Sequence, residues 1–140
     1  MTVICACDTR IRVRYADTDQ MGIVYNGKYF EYFEVGRTEM MRMLGLPYIE
    51  FERAGTRLPL VEAHARFHRP ALYDDELHIH SEVREVPRSQ LRVDYEIRRV
   101  ADNELLVTGY TTHAFLDIAT LRPVRPPRRF LDALGNGARD

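Results

Sequence analysis

The spacing of apolar and polar residues changes period twice along this chain, and the first change marks the stretch around which the rest is organised. Over residues 9–15, Arg10, Arg12 and Arg14 alternate with Ile11, Val13 and Tyr15, a period of two that predicts a half-buried strand. Asp17 to Gly22 then break the alternation with acids and glycine, which is turn chemistry. From Gly27 to Leu44 the period becomes helical. Tyr29, Phe33, Gly36, Met40 and Met43 recur at steps of four and three and fall within about 40° of Tyr29 on a helical wheel. Gly36 sits inside that stripe, where close approach of the helix to a sheet would offset its cost of about 1 kcal/mol against alanine. Gly45 reads as the residue just past the helix, and Pro47 prevents continuation.

A short helix over residues 47–54, ended by Gly55, leads into four strand-like segments. Residues 59–68 alternate Val61, Ala63, Ala65 and Phe67 against Glu62, His64, Arg66 and His68. Residues 77–86 and 90–100 set Leu77, Ile79, Ser81, Val83 and Leu91, Val93, Tyr95, Ile97 against charged neighbours. A long last strand is expected over residues 105–118, and a short helix from Arg128 to Leu134. Strands gathered after one long helix predict an α+β fold with an antiparallel sheet of about five strands. A single domain over residues 1–140 is expected, with flexible ends at 1–8 and 135–140.

Composition narrows the function classes. Charged residues make up 29% and hydrophobic residues 45%, and the formal net charge is −1, so no basic excess points to nucleic acid. Cys5 and Cys7 are the two cysteines, too few for a disulfide framework or a four-cysteine zinc site, and are read as reduced thiols without function. The opening residues lack the charge and apolar run of a signal peptide, and no window approaches the ~18 apolar residues of a membrane span. The expectation is a soluble, cytoplasmic protein without membrane insertion.

The acidic turn carries the chemistry. As a calcium loop it fails, because Met21 and Lys28 stand where oxygen ligands are needed. Plain turn chemistry accounts for the acids and glycine alone. A third reading rests on placement: within ten residues the chain supplies a carboxylate, Asp19, and the start of a long helix with free backbone N–H groups. A carboxylate can attack an activated carbonyl or deprotonate a water, while helix-end amides hold the developing oxyanion. Thioesters suit this pair, since a thiolate leaves without a strong general acid.

The run Arg12-Val13-Arg14-Tyr15-Ala16-Asp17-Thr18-Asp19-Gln20-Met21-Gly22-Ile23-Val24-Tyr25-Asn26 closely resembles the active-site signature of the 4-hydroxybenzoyl-CoA thioesterase family of hotdog-fold acyl-CoA hydrolases. Residues 29–39 resemble that family's central helix. Phe67-His68-Arg69-Pro70-Ala71 and Tyr73-Asp74-Asp75-Glu76-Leu77 resemble its second and third strands with their connection. The resemblance implies a hotdog: a curved antiparallel sheet wrapped around one long central helix. It also implies an acyl-CoA substrate, no separate cofactor, and a homodimer or homotetramer with sites at subunit boundaries. Carried over by position, Asp19 is the catalytic base or nucleophile, Asp17 a supporting acid, and the backbone amide of Asn26 the carbonyl polariser. Tyr15 matches an aromatic site position of the Tol–Pal-associated branch. That branch has a histidine where this chain has Asn26, which places the chain outside it. Gly22, Val24, Tyr25 and Gly27 are expected to border the substrate. Arg88 and Ser89 are expected at the coenzyme A phosphates, with Arg69, Arg125, Arg128 and Arg129 as further candidates. Glu31 and Glu34 are second choices for the base, because another hotdog clan uses a helix glutamate.

Other chemistries find less support. His78 and His80 share one strand face, and His64 and His68 another, but neither pair has an evident third metal ligand. His113 is read as structural. No Gly-x-Ser-x-Gly elbow occurs. Hydratase chemistry on the same fold would need a histidine near the helix, and none lies between residues 1 and 63. A non-catalytic acyl-CoA sensor is the remaining alternative.

Overall fold

The computed structural model describes residues 3–139, and side chains through residue 135. Strand β1 (Cys5–Arg12) leads through a 3-10 turn (Tyr15–Asp17) to helix α1 (Lys28–Met43) and helix α2 (Tyr48–Arg53). Strands β2 (Thr56–Arg57), β3 (Leu60–Phe67), β4 (Glu76–Val83), β5 (Gln90–Arg99), β6 (Leu105–Ala114) and β7 (Leu116–Asp117) follow, then helix α3 (Arg128–Arg139). Five strands form one antiparallel sheet in the order β1-β4-β5-β6-β3, and β2 pairs with β7.

The first strand is displaced from its predicted range. It begins at Cys5, so residues 5–8 are strand and not a flexible lead, and it ends at Arg12. Pairing with β4 fixes this, running unbroken from Cys5↔Val83 to Arg12↔Glu76. The alternation of Arg14 and Tyr15 continues past the strand into the 3-10 turn, where Tyr15 is 78% exposed. Strand β4 stops at Val83, short of Pro87, and the expected last strand divides into β6 and β7. Helix α3 extends past Leu134, and residue 140 of the expected flexible end lies outside the described residues.

Helix α1 matches its prediction within a residue at each end, and Gly45 takes the positive φ of 77° that closes it. It packs on one face of the sheet, against β1, β4, β5 and β3. Its buried face is Tyr29, Tyr32, Phe33, Gly36, Met40 and Met41; Met43, expected in the stripe, is exposed where the helix ends. Gly36 makes the close approach possible, since a Cβ there would collide with Ser81 Oγ and lie 2.8 Å from Ile79 Cγ2. One turn earlier, Phe33 stacks on Tyr95 with ring centroids 4.4 Å apart. The inward residues Leu77, Ile79, Leu91, Val93 and Ile97 are fully buried beneath it.

Strand β3 departs from the half-buried pattern its alternation predicts. It is an edge strand, and Leu60, Val61 and Phe67 are all exposed. Among the described residues no helix is long and apolar enough to cross a membrane.

Candidate active site

The acidic turn folds back on itself as a small ladder. Tyr25 N–H donates to the Asp17 carbonyl at 2.9 Å, Thr18 bridges Val24, and Asp19 N–H donates to the Ile23 carbonyl at 2.8 Å. At the tip, Gly22 N–H donates to the Asp19 carbonyl at 3.0 Å, and the Asp19 carboxylate accepts the Met21 N–H at 2.8 Å. Gly22 holds φ at 80°, a left-handed conformation that side chains disfavour. Local bonds therefore fix Asp19 while leaving its carboxylate partly exposed.

Asp17, two residues away, has a different environment. It is buried, its carboxylate accepts the Tyr32 hydroxyl at 2.9 Å and the Arg14 N–H at 3.2 Å, and Arg14 Nη2 lies 3.1 Å away. Lys28 Nζ stands 3.8 Å off. Burial alone would raise its pKa, but the Arg14 N–H, the Tyr32 hydroxyl and the Arg14 guanidinium outweigh it and hold the carboxyl below its ordinary value. The same burial, with the neighbouring carboxylate, pushes the Tyr32 phenol up. Asp17 is a saturated structural acid, and Asp19 is the carboxylate with capacity to spare.

The ladder delivers the chain to the start of α1. No side chain caps the helix at Gly27. Lys28, Tyr29 and Phe30 donate their N–H groups to the carbonyls of Tyr25, Asn26 and Gly27 at 2.9, 3.3 and 3.3 Å. Among the described residues the N–H groups of Asn26 and Gly27 have no acceptor. Unpaired amides at a helix N-terminus, with the dipole behind them, attract negative charge. Asn26 borders a cleft of about 230 Å³. Ile23, Val24 and Tyr29 form one wall with it, and Phe67, Arg69 and Pro70 form the other.

Of that second wall the sequence marks only Arg69 as a site candidate, for the coenzyme A phosphates; the resemblance otherwise reads the segment as a strand connection. Three contacts bind it to the turn. Val24 N–H donates to the Ala71 carbonyl at 2.9 Å, Ala71 N–H donates to the Tyr29 hydroxyl at 3.2 Å, and Ile23 bridges Leu72. Phe67 packs against Tyr29 with centroids 5.5 Å apart. His68 also borders the cleft, but its Nε2 lies 3.0 Å from Thr108 Oγ1. Arg69 pairs with Glu104 at 3.5 Å.

The predicted residues divide accordingly. Val24 and Asn26 line the cleft, while Asp19, Gly22, Tyr25 and Gly27 belong to the ladder and helix start beside it. Tyr15 stands exposed against Tyr73 in an edge-on contact at 5.8 Å. Arg88 and Ser89 do not join this cleft within one chain. They line a separate hollow of about 700 Å³ at the β4–β5 turn, and the eight residues of β4 put roughly 25 Å between its two ends. Glu31 is exposed and pairs with Lys28, and Glu34 borders a small cleft with Arg37 and Tyr48. Arg128 and Arg129 pair with Asp132 and Glu50. His78 Nε2 and His80 Nδ1 both meet Asp8 Oδ1, at 2.8 and 2.7 Å, yet no group of three or more side chains suited to a metal occurs among the described residues. Burial pushes the Cys5 thiol up to about 11, with Cys7 adding to the effect, so it is a poor nucleophile.

Residues 13–134 match the thioesterase-like superfamily. YneP of Bacillus subtilis, to which acyl-CoA thioesterase activity is provisionally attributed, is 32% identical over 122 residues, covering 87% of this chain and 88% of its own. The acyl-CoA thioesterase YbgC of Haemophilus influenzae is 30% identical over 120 residues, covering 84% and 86%. Among solved structures, the DHNA-CoA thioesterase of Staphylococcus aureus superposes with a TM-score of 0.85 at 30% identity, over 91% of this chain and 85% of that one. The sheet order, the helix across it and these likenesses agree: the chain belongs to the thioesterase-like superfamily and is a hotdog-fold thioesterase.

Proposed function

We propose that this enzyme hydrolyses acyl-CoA thioesters to a free carboxylic acid and coenzyme A, with Asp19 and the Asn26 amide as its two chemical elements. The observation that carries this reading is the uncapped start of α1: Asn26, whose N–H has no acceptor among the described residues, lines a cleft, and the turn that carries Asp19 leads directly into it. The thioester carbonyl oxygen would accept the Asn26 N–H, and the helix dipole would favour the negative charge that develops there. Asp19 would either take a proton from water as the water oxygen bonds to the carbonyl carbon, or attack that carbon itself. The C–S bond then breaks and coenzyme A leaves as the thiolate. In the attack route, water hydrolyses the resulting anhydride. Either way one water is consumed, and no further cofactor is needed.

The working unit in this reading is at least a dimer formed along β3. Its outer edge has no strand neighbour among the described residues, and its exposed Leu60, Val61 and Phe67 would be covered by a second copy. Antiparallel pairing centred near Ala63 and His64 would bring Leu60 of one copy beside Phe67 of the other, at the cleft wall. Arg88 and Ser89 could then meet the nucleotide of a substrate only from a neighbouring subunit.

Thiol release from a panel of acyl-CoAs tests the reading, with wild type compared with Asp19→Asn. Turnover by wild type and loss of kcat by about 10² or more in the variant is expected. Turnover unchanged by Asp19→Asn would remove Asp19 from the mechanism, and binding without turnover by wild type would make the chain a sensor.

A further inference from the structure

We propose that Arg99, at the far end of β5, is a positioning residue for the Asn26 amide. It acts by cross-linking both ends of the segment that forms the second wall of the cleft. The proposal rests on the thioesterase reading given above, and it deepens that reading by naming what sets the geometry of the carbonyl polariser.

The segment from His68 to Asp75 has no regular structure, yet it must hold Pro70 against the cleft and Ala71 against Val24 and Tyr29. Arg99 makes three bonds with its guanidinium. Nη2 donates to the Pro70 carbonyl at 2.9 Å, Nε donates to Asp75 Oδ2 at 3.0 Å, and Nη1 donates to Asp102 Oδ2 at 3.0 Å. Asp75 Oδ2 also accepts the Leu72 N–H at 2.9 Å. One planar cation therefore fixes the beginning of the segment through Pro70 and its end through Asp75, and it is itself aimed by Asp102. The Arg99 and Asp75 side chains are each only 19% exposed, so their mutual ion pair is the most shielded of these bonds, while Asp102 is 53% exposed.

The constraint passes on through contacts already described. Pro70 is bonded to its neighbour Ala71, and Ala71 holds Val24 through its carbonyl and Tyr29 through its N–H. Val24 and Tyr29 bracket Asn26 on its two sides. A shift of Ala71 therefore moves the Asn26 N–H relative to the ladder that carries Asp19, and amide stabilisation of an oxyanion is sensitive to displacements of about 1 Å. No lysine can replace the fork, because an ammonium is a single point with no fixed angle between its donors. Arg99 touches none of the reacting atoms.

The test uses the full chain with Arg99→Met and Arg99→Lys, and Asp102→Asn as a milder variant that loosens the fork's aim. Three measurements are made: kcat and KM for thiol release, rescue of kcat by added methylguanidinium, and backbone hydrogen exchange. Expected for Arg99→Met is a fall in kcat of about tenfold to a hundredfold with KM changed little, partly restored by methylguanidinium. Arg99→Lys should resemble Arg99→Met, and Asp102→Asn should show the same split, smaller. Exchange at the Val24 and Ala71 amides should accelerate while that at Val93 and Ile97 in the sheet does not. The exchange result stands without turnover, so it separates a failure of this proposal from a failure of the thioesterase reading. Unchanged exchange at Val24 and Ala71 in Arg99→Met overturns the proposal. So does a kcat loss that merely follows the folded fraction, or an unchanged kcat despite faster exchange. Should Arg99→Met not fold, Asp102→Asn decides by the same criteria.

Discussion

The Tyr32 hydroxyl, on the second turn of α1, donates to Asp17 Oδ2 at 2.9 Å and ties the acidic turn to the helix that follows it. Both groups are buried. Removing the hydroxyl leaves the carboxylate with one partner fewer in a place water does not reach. Tyr32→Phe should therefore destabilise the protein by about 1–3 kcal/mol, measured by urea unfolding, and lower kcat through the turn.

The same carboxylate predicts an acid limb in stability. Asp17 has a folded pKa below its unfolded value, so its contribution is present above the ordinary carboxylate range and is lost as pH falls through the folded pKa. Unfolding free energies measured below about pH 4 should decline less steeply in Asp17→Asn than in wild type, although the variant starts from lower stability.

His113 predicts a second, higher window. Its Nδ1 faces the Leu58 carbonyl at 3.2 Å and its Nε2 the Thr111 hydroxyl at 2.9 Å, and it is 1% exposed. Burial, with the nearby Arg37 charge adding to it, lowers its pKa to about 4. The unfolded chain, with a histidine pKa of about 6.5, binds more protons in between. Stability should thus be full above about pH 6.5 and fall by up to about 3 kcal/mol as pH drops to 4. Denaturant unfolding across that range should show the slope in wild type and not in His113→Gln.

At the crossing of α1 and β4, Gly36→Ala should lose stability despite the better helix propensity of alanine. The added methyl meets Ser81 Oγ and Ile79 Cγ2, and the expected cost is about 1–3 kcal/mol. Ser81 Oγ has no hydrogen-bond partner among the described residues, so Ser81→Ala alone should be close to neutral and should recover part of the Gly36→Ala loss in the double variant. Thermal unfolding of the four proteins completes the cycle.

Gly22→Ala isolates the tip of the turn. A Cβ there would touch nothing within 4 Å, so the penalty is that of a left-handed backbone alone, about 1–2 kcal/mol. Because that backbone aims the Asp19 carbonyl and carboxylate, kcat should fall more than global stability does.

The sequence made the elements with strong periodicity legible. Helix α1, its glycine stop and the inward faces of β4 and β5 follow from residues that interact within a few positions of one another. Strand β1 starts earlier than the alternation predicts because Cys5 and Cys7 are weak apolar markers, and it is the register with β4 that defines them. Strand β3 misled in the opposite way: its alternation is real, but an edge position leaves both faces open. The turn was legible as a candidate site, and the structure sets Asn26 at a cleft and Asp17 in a buried, bonded place. The second wall of the cleft was not legible, since Phe67, Pro70 and Ala71 reach Tyr29 and Val24 only through tertiary folding. The distance of Arg88 and Ser89 from that cleft could not be read from spacing either.

The Arg99 fork also bears on the order in which the molecule can assemble. Its bond to Pro70 spans 29 positions of the chain, and Arg99 itself is held opposite Leu77 in the β4–β5 register. The acidic turn is thus a local sequence motif whose final shape waits on non-local contacts, which are the slow ones to form. A nascent chain that has emerged only as far as β4 contains Asp19 and Asn26 but lacks the clamp behind them. Refolding followed by secondary structure should accordingly run ahead of recovered turnover.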